Sequence, residues 1–178
     1  MLEDLEKLQI ENSKKDPQCF EPLYVKYYEQ ILKFVYKQIE NLDDVREVTS
    51  IVFTKALTNI NKYKDYGFPF SSWLYRIAIN EINQFYRDST KIRVISIDDK
   101  GINNIAEETG TEKEELLSNL KKALLHLSED DLTLIELRYF ENLSFLEVSA
   151  ILKITENNAK VKTYRVLDKL KSVYAKIS

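Results

Sequence analysis

Glycine, proline and cysteine are scarce in this sequence. Its 178 residues include three Gly, three Pro and one Cys. An all-β protein with many tight turns needs more Gly and Pro than this, so the composition excludes a sandwich or a barrel and predicts an all-α fold. Cys19 has no second cysteine with which to form an internal disulfide, which favours a reducing compartment.

Long apolar runs are also missing. No stretch approaches the roughly 18 consecutive apolar residues that a membrane-spanning helix needs. The first segment, MLEDLEKLQIENSKKD, is charged throughout, unlike a secretory signal peptide. We therefore expect a soluble, cytoplasmic protein that is not inserted into a membrane.

Side chains for catalysis and metal binding are few. His126 is the only histidine, and its apolar neighbours predict a packing role. No Cys/His cluster, glycine-rich phosphate loop or Ser-His-Asp set can be assembled. We interpret the pairs Asp43/Asp44 and Asp130/Asp131 as helix caps. The sequence predicts a protein that is not an enzyme and needs no cofactor or metal ion.

Charge is unevenly distributed, although the whole chain carries only −3. Residues 59–95 carry a net +3 and residues 153–178 a net +5, whereas residues 96–118 between them carry −5. Basic segments that also form docking elements are typical of proteins that bind a polyanion.

Two amphipathic helices are predicted in the first third of the chain. In residues 20–40 apolar residues recur three and four apart, which predicts one buried stripe: Phe20, Leu23, Tyr27, Ile31, Phe34, Val35 and Ile39. A second helix follows NLDD, with Asp43 or Asp44 as its N-cap. It is expected to bury Val48, Ile51, Val52, Leu57 and Ile60 and to expose Arg46, Glu47, Ser50 and Lys55.

A third helix is predicted after the loop KDYGFPF, capped by Ser71 or Ser72 and ending near Tyr86. Its apolar stripe is Leu74, Ile77, Ala78, Ile82 and Phe85. A second row runs beside the stripe: Trp73, Arg76, Asn80, Asn83 or Gln84, and Arg87. Arg binds phosphates, amides read base edges and aromatic rings stack on unpaired bases, so this row favours a nucleic-acid contact. A packed Trp beside an ordinary solvated face is the alternative, and Trp73 is expected at the border of the core.

A second domain is predicted towards the C-terminus. Little apolar periodicity and much charge in residues 88–115 are typical of a linker. Four short helices are then expected, at about 115–127, 129–140, 144–152 and 156–175, the second capped by Ser128. The last two, separated by KIT, form a helix-turn-helix pattern with a basic second helix; an αα-hairpin is the alternative. We expect domains at 1–95 and 116–178, joined by an acidic linker at 96–115.

These motifs resemble a known family. DDVREVTSIVFTKALTNINKY and FPFSSWLYRIAINEI resemble region 2 of sigma factors of the sigma-70 family, and LSEDDLTLIELRYFENLSFLEVSAILKITENNAKVKTYRVLDKLK resembles region 4. The short acidic segment between them is similar to the extracytoplasmic-function (ECF) type. The resemblance implies a sigma factor that binds core RNA polymerase through its β′ and β subunits, recognises the −10 and −35 elements of promoter DNA and promotes melting. It also implies an anti-sigma factor as a partner.

The resemblance further implies three sets of site residues. The polymerase-binding set is Asp44, Arg46, Glu47, Ser50, Ile51 and Thr54. The set at the −10 element is Lys62, Lys64, Trp73, Arg76, Asn80 and Arg87, together with the loop 63–70. The set at the −35 element, on the second helix of the helix-turn-helix, is Asn157, Asn158, Lys160, Lys162 and Arg165.

Three positions depart from the family's pattern. Ser50 stands where Gln is usual, Gln84 where Asp is common, and the recognition helix begins Asn-Asn-Ala instead of Gly-Thr-Val. The third departure bears on the −35 sequence, so no sequence specificity is predicted. The alternative function is a stand-alone helix-turn-helix regulator with an N-terminal dimerisation or sensing domain. It predicts duplex binding without affinity for polymerase.

Overall fold

The computed structural model describes residues 2–89, 99–110, 120 and 122–177, and all regular structure in them is helical, as predicted. The α-helices are α1 (Leu2–Ser13), α2 (Glu21–Tyr36), α3 (Leu42–Asn59), α4 (Phe70–Asp88), α5 (Asp99–Thr109), α6 (Glu129–Ile135), α7 (Phe145–Leu152) and α8 (Glu156–Ile177). The shorter elements are two 3-10 turns, Pro17–Phe20 and Ile60–Lys62, and a π-helical segment, Glu136–Phe140.

The chain divides into two compact units, Met1–Val94 and Ile95–Ser178. The first contains α1 to α4, and α3 packs against both α2 and α4. The second contains α5 to α8, and the helix-turn-helix pair α7 and α8 pack on each other. None of the described helices combines the length and apolar character needed to cross a membrane.

The α2 segment folds as its periodicity predicts. Every residue of the expected stripe is buried: Phe20, Leu23, Tyr27, Ile31, Phe34, Val35 and Ile39. Aromatic contacts then lock this stripe to α4, with the Phe34 and Tyr75 rings edge to face at 4.9 Å between centroids. Such pairs stabilise a core beyond the effect of their buried area.

The start of α3 differs from the prediction. Asn41 is the N-cap, because its side-chain oxygen accepts hydrogen bonds from the backbone N–H groups of Asp43 at 2.9 Å and Asp44 at 3.2 Å. The expectation that Asp43 or Asp44 caps the helix was wrong. Both lie in the first turn, where a carboxylate interacts favourably with the helix dipole.

The buried face of α3 is also rotated from the predicted one. The side chains that face the core are Val45, Val48, Thr49, Val52, Phe53 and Ala56. Ile51 remains 37% exposed and Leu57 is only partly buried, so their expected burial was wrong. Thr49 fits the core because its hydroxyl donates to the Val45 carbonyl at 2.7 Å, which leaves no unsatisfied polar group.

The helix α4 begins at Phe70, before either predicted cap. Pro69 occupies the N-cap position and no side chain caps the helix, so the expectation of Ser71 or Ser72 was wrong. A proline at a helix start suits the first turn, whose N–H groups have no helical partner. The core face contains Phe70, Leu74, Tyr75, Ala78 and Ile82, whereas Ile77 and Phe85 are only partly buried.

The helix α5 lies inside the segment that was expected to be a linker, so that prediction was wrong over residues 99–109. Ile102 and Ile105 are buried in the second unit. At Gly101 a Cβ atom would lie only 1.6 Å from the Phe140 ring, so α5 can pack this closely only because the residue is glycine. Two apolar side chains therefore anchor a helix that has little apolar periodicity.

The helix-turn-helix has the predicted order. Ser128 caps α6 as expected, accepting from the Asp131 N–H at 3.3 Å. Lys153 ends α7 in the left-handed region with φ of 56°, and Thr155 accepts from the Asn158 N–H at 3.2 Å to cap α8. The predicted helix at 115–127 falls mostly outside the described residues. His126 is exposed, so its expected packing role was wrong.

Candidate polymerase and nucleic-acid interfaces

The exposed face of α3 carries the residues predicted to bind polymerase. Arg46, Glu47, Ser50, Ile51 and Thr54 are exposed, and Asp44 is partly so. They share this face because the opposite stripe of α3 is buried in the first unit. Arg46 lies 3.5 Å from Asp43, but both side chains are largely in solvent, so this ion pair stabilises the fold little.

Two apolar side chains interrupt this acidic surface. Ile51 is 37% exposed and Leu42, at the first turn of α3, is 54% exposed. Apolar groups inside a polar rim are typical of a protein-binding surface. Leu42 was absent from the predicted set; its position immediately before the acidic pair DD is the signal that could have identified it.

The row on α4 lies on one side of the helix. Asn80 and Arg87 are exposed, whereas Trp73 and Arg76 are partly buried. The Trp73 ring packs 5.2 Å from the Tyr63 ring and 5.4 Å from the Phe70 ring, measured between centroids. Trp73 therefore lies at the border of the core, as predicted.

The two arginines of the row are held differently. Partial burial lowers the pKa of the Arg76 guanidinium, which remains charged because an arginine pKa is so high. Arg87 donates to the Gln84 side chain at 2.8 Å, and the Gln84 amide donates to both Asp88 carboxylate oxygens, at 2.7 and 2.8 Å. Gln84, one of the departures from the family's pattern, thus links Arg87 to Asp88.

The loop before α4 exposes an aromatic ring. Asp65 accepts a hydrogen bond from the Gly67 N–H at 2.8 Å, and Gly67 adopts a φ of +80° that an L side chain rarely tolerates. Asp65 also forms a 3.1 Å ion pair with Lys7 of α1. The Gly67 hydrogen bond first, and then Lys7, hold the pKa of Asp65 below its usual value. In this turn Tyr66, which lies within the loop 63–70, is 74% exposed.

A cleft of about 530 Å³ lies between α1 and this loop. Aromatic side chains line part of it, namely Tyr27, Tyr63, Phe68 and Phe70, and charged ones another part, namely Glu6, Lys7, Glu11, Lys26 and Asp65. The Tyr27 hydroxyl donates to Glu6 at 2.6 Å.

The two tyrosines of the cleft stay protonated at neutral pH. Burial first, and then the hydrogen bond to Glu6, raise the pKa of Tyr27. Burial first, and then the charges of Asp65 and Glu6, raise the pKa of Tyr63 to about 12. Both phenols therefore keep their protons, and the proton of Tyr27 is the one donated to Glu6.

The lysines of the −10 set lie on either side of Tyr63. Lys62 and Lys64 are both exposed, and the Lys62 ammonium donates to the Asn59 side chain at 2.9 Å. Both are cations of the segment that leads into the loop before α4.

The predicted −35 residues are all exposed on α8: Asn157, Asn158, Lys160, Lys162 and Arg165. The opposite side of the helix is buried in the second unit through Ala159, Thr163, Val166, Leu167 and Leu170. Two further side chains share the exposed side, Val161 at 38% and Tyr164 at 40% exposed, and the prediction from cationic and amide residues missed them.

The cations of α8 do not form one cluster. Lys162 and Arg165 line a shallow cleft with Asp130 and Asp131 of α6, and Lys169 pairs with Asp131 at 2.8 Å. Because each residue of a helix turns about 100° from the last, Lys160 lies on the other flank, away from Lys162.

The two units together define an all-helical chain that ends in a helix-turn-helix. Family models match both units, the sigma-70 region 2 model over residues 23–92 and the sigma-70 region 4 model over residues 117–170, which together exceed two thirds of the chain. The chain belongs to the sigma-70 family of RNA polymerase sigma factors, among those of the ECF type. Sigma factors are transcription initiation factors, not catalysts, and they bind core RNA polymerase and promoter DNA.

Relatives from several bacteria match over most of the chain. RNA polymerase sigma factor YlaC of Bacillus subtilis is 25% identical over 163 residues, which are 88% of this chain and 92% of that protein. ECF RNA polymerase sigma factor SigW of the same organism is 25% identical over 176 residues, 92% of this chain and 94% of that protein. ECF RNA polymerase sigma-E factor of Escherichia coli is 24% identical over 163 residues, 85% of this chain and 84% of that protein.

Solved structures share the fold. CnrH, solved in complex with the cytosolic domain of CnrY, superposes with a TM-score of 0.63 at 18% identity, covering 96% of this chain and 97% of that one. The sigma factor RpoE from Bartonella quintana, solved with the anti-sigma factor NepR, has a TM-score of 0.57 at 20% identity and covers 86% of this chain and 95% of that one.

Proposed function

We propose that this chain binds core RNA polymerase in the cytoplasm, directs it to promoters by contacting −10 and −35 elements, and promotes melting of the DNA. One observation carries the proposal. The helix α4 and its loop present amides, guanidinium groups and aromatic rings together, beside a cleft. A stand-alone regulator that only reads a duplex has no need for a surface suited to unpaired bases.

We assign the polymerase contact to α3. Its exposed face combines the carboxylates of Asp44 and Glu47 with the apolar side chains of Ile51 and Leu42. Charge complementarity speeds encounter with a basic partner surface, whereas the apolar centre supplies affinity once water is excluded. Ser50 presents a shorter hydrogen-bonding group than the glutamine that is usual in the family.

We assign DNA melting to α4 and the cleft beside its loop. Arg76 and Arg87 bind phosphates of the separated strand, Asn80 meets base edges, and Tyr66 offers an exposed ring for stacking. The cleft beside the loop adds the partly buried Phe68 ring, and its carboxylates are acceptors for exocyclic amino groups of an unpaired base. Lys62 and Lys64 add phosphate contacts beside it.

We assign the −35 contact to α8, which enters the major groove. Asn157 and Asn158, at its N-terminal end, are positioned to reach base edges, as in other helix-turn-helix proteins. Lys160 and Lys162 lie on opposite flanks of the helix, so each faces a different wall of the groove and a different phosphate backbone. Arg165 adds a further cation one turn along.

An anti-sigma partner belongs to the same proposal. The support is that RpoE of Bartonella quintana, which shares this fold, was solved with the anti-sigma factor NepR. The exposed apolar side chains of α3 suit a proteinaceous partner that competes with polymerase.

The deciding experiment is co-elution with core RNA polymerase, followed by promoter-dependent transcription. Ile51→Asp is expected to weaken co-elution at least tenfold. Val25→Asp, at a 69% exposed valine of α2 outside the α3 face, serves as the matched control and is expected to co-elute normally. If the unmodified chain binds duplex DNA but never polymerase, the stand-alone regulator is the correct function.

A second experiment tests the melting surface. Asn80→Ala is expected to impair open-complex formation while polymerase binding is retained, whereas Asn103→Ala, the same change at an exposed position of α5, leaves both intact. If the two variants form open complexes equally well, the Asn80 side of α4 takes no part in melting.

A further inference from the structure

Asp65 links the loop 63–70 to the helix α1. Its Oδ1 atom accepts a hydrogen bond from the Gly67 N–H at 2.8 Å, and its Oδ2 atom lies 3.1 Å from the Nζ atom of Lys7. Tyr66 stands between Asp65 and Gly67 and is 74% exposed. A ring so exposed is placed mainly by the backbone of the turn that carries it, and Asp65 holds that turn from both sides.

The helix α1 is itself fixed to the first unit. The Ile10 side chain is buried. The Glu6 carboxylate accepts a hydrogen bond from the Tyr27 hydroxyl at 2.6 Å and pairs with Lys26, both on α2, and the Glu6 side chain is only 17% exposed. Successive residues of a helix are turned by about 100°, so Glu6 reaches α2 while Lys7 reaches the loop.

The two ends of the loop are fixed separately from its middle. Tyr63 and Phe70 are buried, and their rings meet edge to face at 5.1 Å between centroids. Residues 64–67 between them are exposed. Segments with few buried contacts change conformation at low free energy. The position of Tyr66 therefore depends on the contacts of Asp65 more than on the buried ends.

We propose that Lys7 is a positioning residue for promoter melting: through Asp65, it holds the turn that presents the Tyr66 ring to an unpaired base. This role presupposes the proposed function of α4 and its loop. The side chains of Lys7 and Asp65 are 63% and 38% exposed, so their ion pair contributes little to the stability of the fold. Its loss therefore shifts the populations of loop conformations and leaves the first unit folded.

The first test compares Lys7→Gln with Lys33→Gln in the full chain bound to core RNA polymerase. The control Lys33→Gln removes a cation of α2 that forms an exposed ion pair with Glu29 at 2.6 Å. On a promoter duplex that the unmodified chain transcribes, we expect Lys7→Gln to form about two- to fivefold fewer open complexes, the range that an exposed ion pair can supply. Its co-elution and Tm should not change, and Lys33→Gln should match the unmodified chain. Normal open-complex formation by Lys7→Gln overturns the proposal.

The variant Asp65→Asn separates positioning from a direct phosphate contact by Lys7. Asparagine keeps an acceptor oxygen for the Gly67 N–H but removes the charge that pairs with Lys7, whose ammonium group is then available to DNA. Positioning predicts that Asp65→Asn reduces open complexes as much as Lys7→Gln does, and that the double variant is no worse than either. Normal or greater open-complex formation by Asp65→Asn assigns Lys7 to phosphate and overturns the proposal.

A mutant cycle with Tyr66 tests whether the effect passes through the loop. In a Tyr66→Ala background, Lys7→Gln should cause no further loss of open complexes, because the ring that it positions is absent. Losses that multiply show that Lys7 acts elsewhere and contradict the proposal.

Amide hydrogen exchange of the free chain at constant pH gives a readout without polymerase or DNA. Lys7→Gln should lower the protection of the loop amides, and Lys33→Gln should not. Unchanged protection in Lys7→Gln overturns the positioning role. Since this measurement does not depend on transcription, failure of the positioning role and failure of the sigma-factor proposal give different results.

Discussion

Replacing Trp73 by alanine separates its packing role from a role in DNA contact. The ring makes two aromatic contacts, to Tyr63 at 5.2 Å and to Phe70 at 5.4 Å. Each such pair contributes about 0.5–1.5 kcal/mol beyond buried area. A fully buried Trp→Ala change costs about 3–5 kcal/mol, and Trp73 is only partly buried. We therefore expect the free energy of unfolding to fall by about 2–3 kcal/mol.

Calorimetry of the full chain measures this loss. For a unit of 94 residues, a loss of 2–3 kcal/mol corresponds to roughly 10–20 °C in the Tm of its transition. Trp73→Phe, which keeps a ring against both neighbours, is expected to recover most of the lost stability. Asn80→Ala should change the free energy of unfolding by no more than about 0.5 kcal/mol, as is usual at exposed positions.

Open-complex formation, measured well below the Tm, completes the comparison. Asn80→Ala should form fewer open complexes although its free energy of unfolding is unchanged. Trp73→Ala should have a lower free energy of unfolding, and it should also form fewer open complexes because the row is no longer braced. A loss below 1 kcal/mol for Trp73→Ala would refute the bracing role. Unfolding of the first unit by Asn80→Ala would show that the row is structural.

Three further predictions concern local structure. Gly67→Ala should destabilise the first unit by about 1–2 kcal/mol in chemical denaturation through its positive φ alone, since open space surrounds the site; an unchanged midpoint contradicts this. Ser144→Ala should cost the second unit about 1 kcal/mol by removing its capping box with Glu147, and a loss below 0.3 kcal/mol would contradict it. The lowered pKa of Asp65 means that its contacts with Gly67 and Lys7 stabilise the loop above the unfolded carboxyl pKa and are lost as pH falls through the folded pKa. The protection of the loop amides, corrected for the intrinsic exchange rate at each pH, should therefore fall in acid, and Asp65→Asn should abolish that dependence on pH.

The sequence predicted α2 well and α3 only in part, for a physical reason. In α2 the apolar residues occupy a single stripe, so periodicity alone identifies the buried face. In α3 Ile51 and Leu57 lie off the buried stripe, while Thr49 and Ala56 lie on it. Periodicity then predicts a helix but not its rotation, which depends on how closely α2 and α4 approach.

The least predictable features depend on single residues. In α5 only Ile102 and Ile105 give a helical apolar spacing, which is too short to identify a packed helix, and the close approach to Phe140 depends on the absence of a Cβ at Gly101. The cap at Asn41 was missed because two acidic residues nearby are equally good caps in isolation. By contrast, the Ser144-x-x-Glu147 capping box is readable from sequence, and it fixes the start of α7.

The charge distribution of the chain follows from the two kinds of surface that it carries. Under the proposed function, phosphate contacts by α4 and α8 weaken steeply with salt because binding releases counterions. The α3 face depends in part on the apolar side chains of Ile51 and Leu42, whose contribution does not fall with ionic strength. Under the proposed function, polymerase binding therefore persists at salt concentrations that release DNA. That ordering favours a free chain that joins polymerase first and meets the promoter as part of the complex.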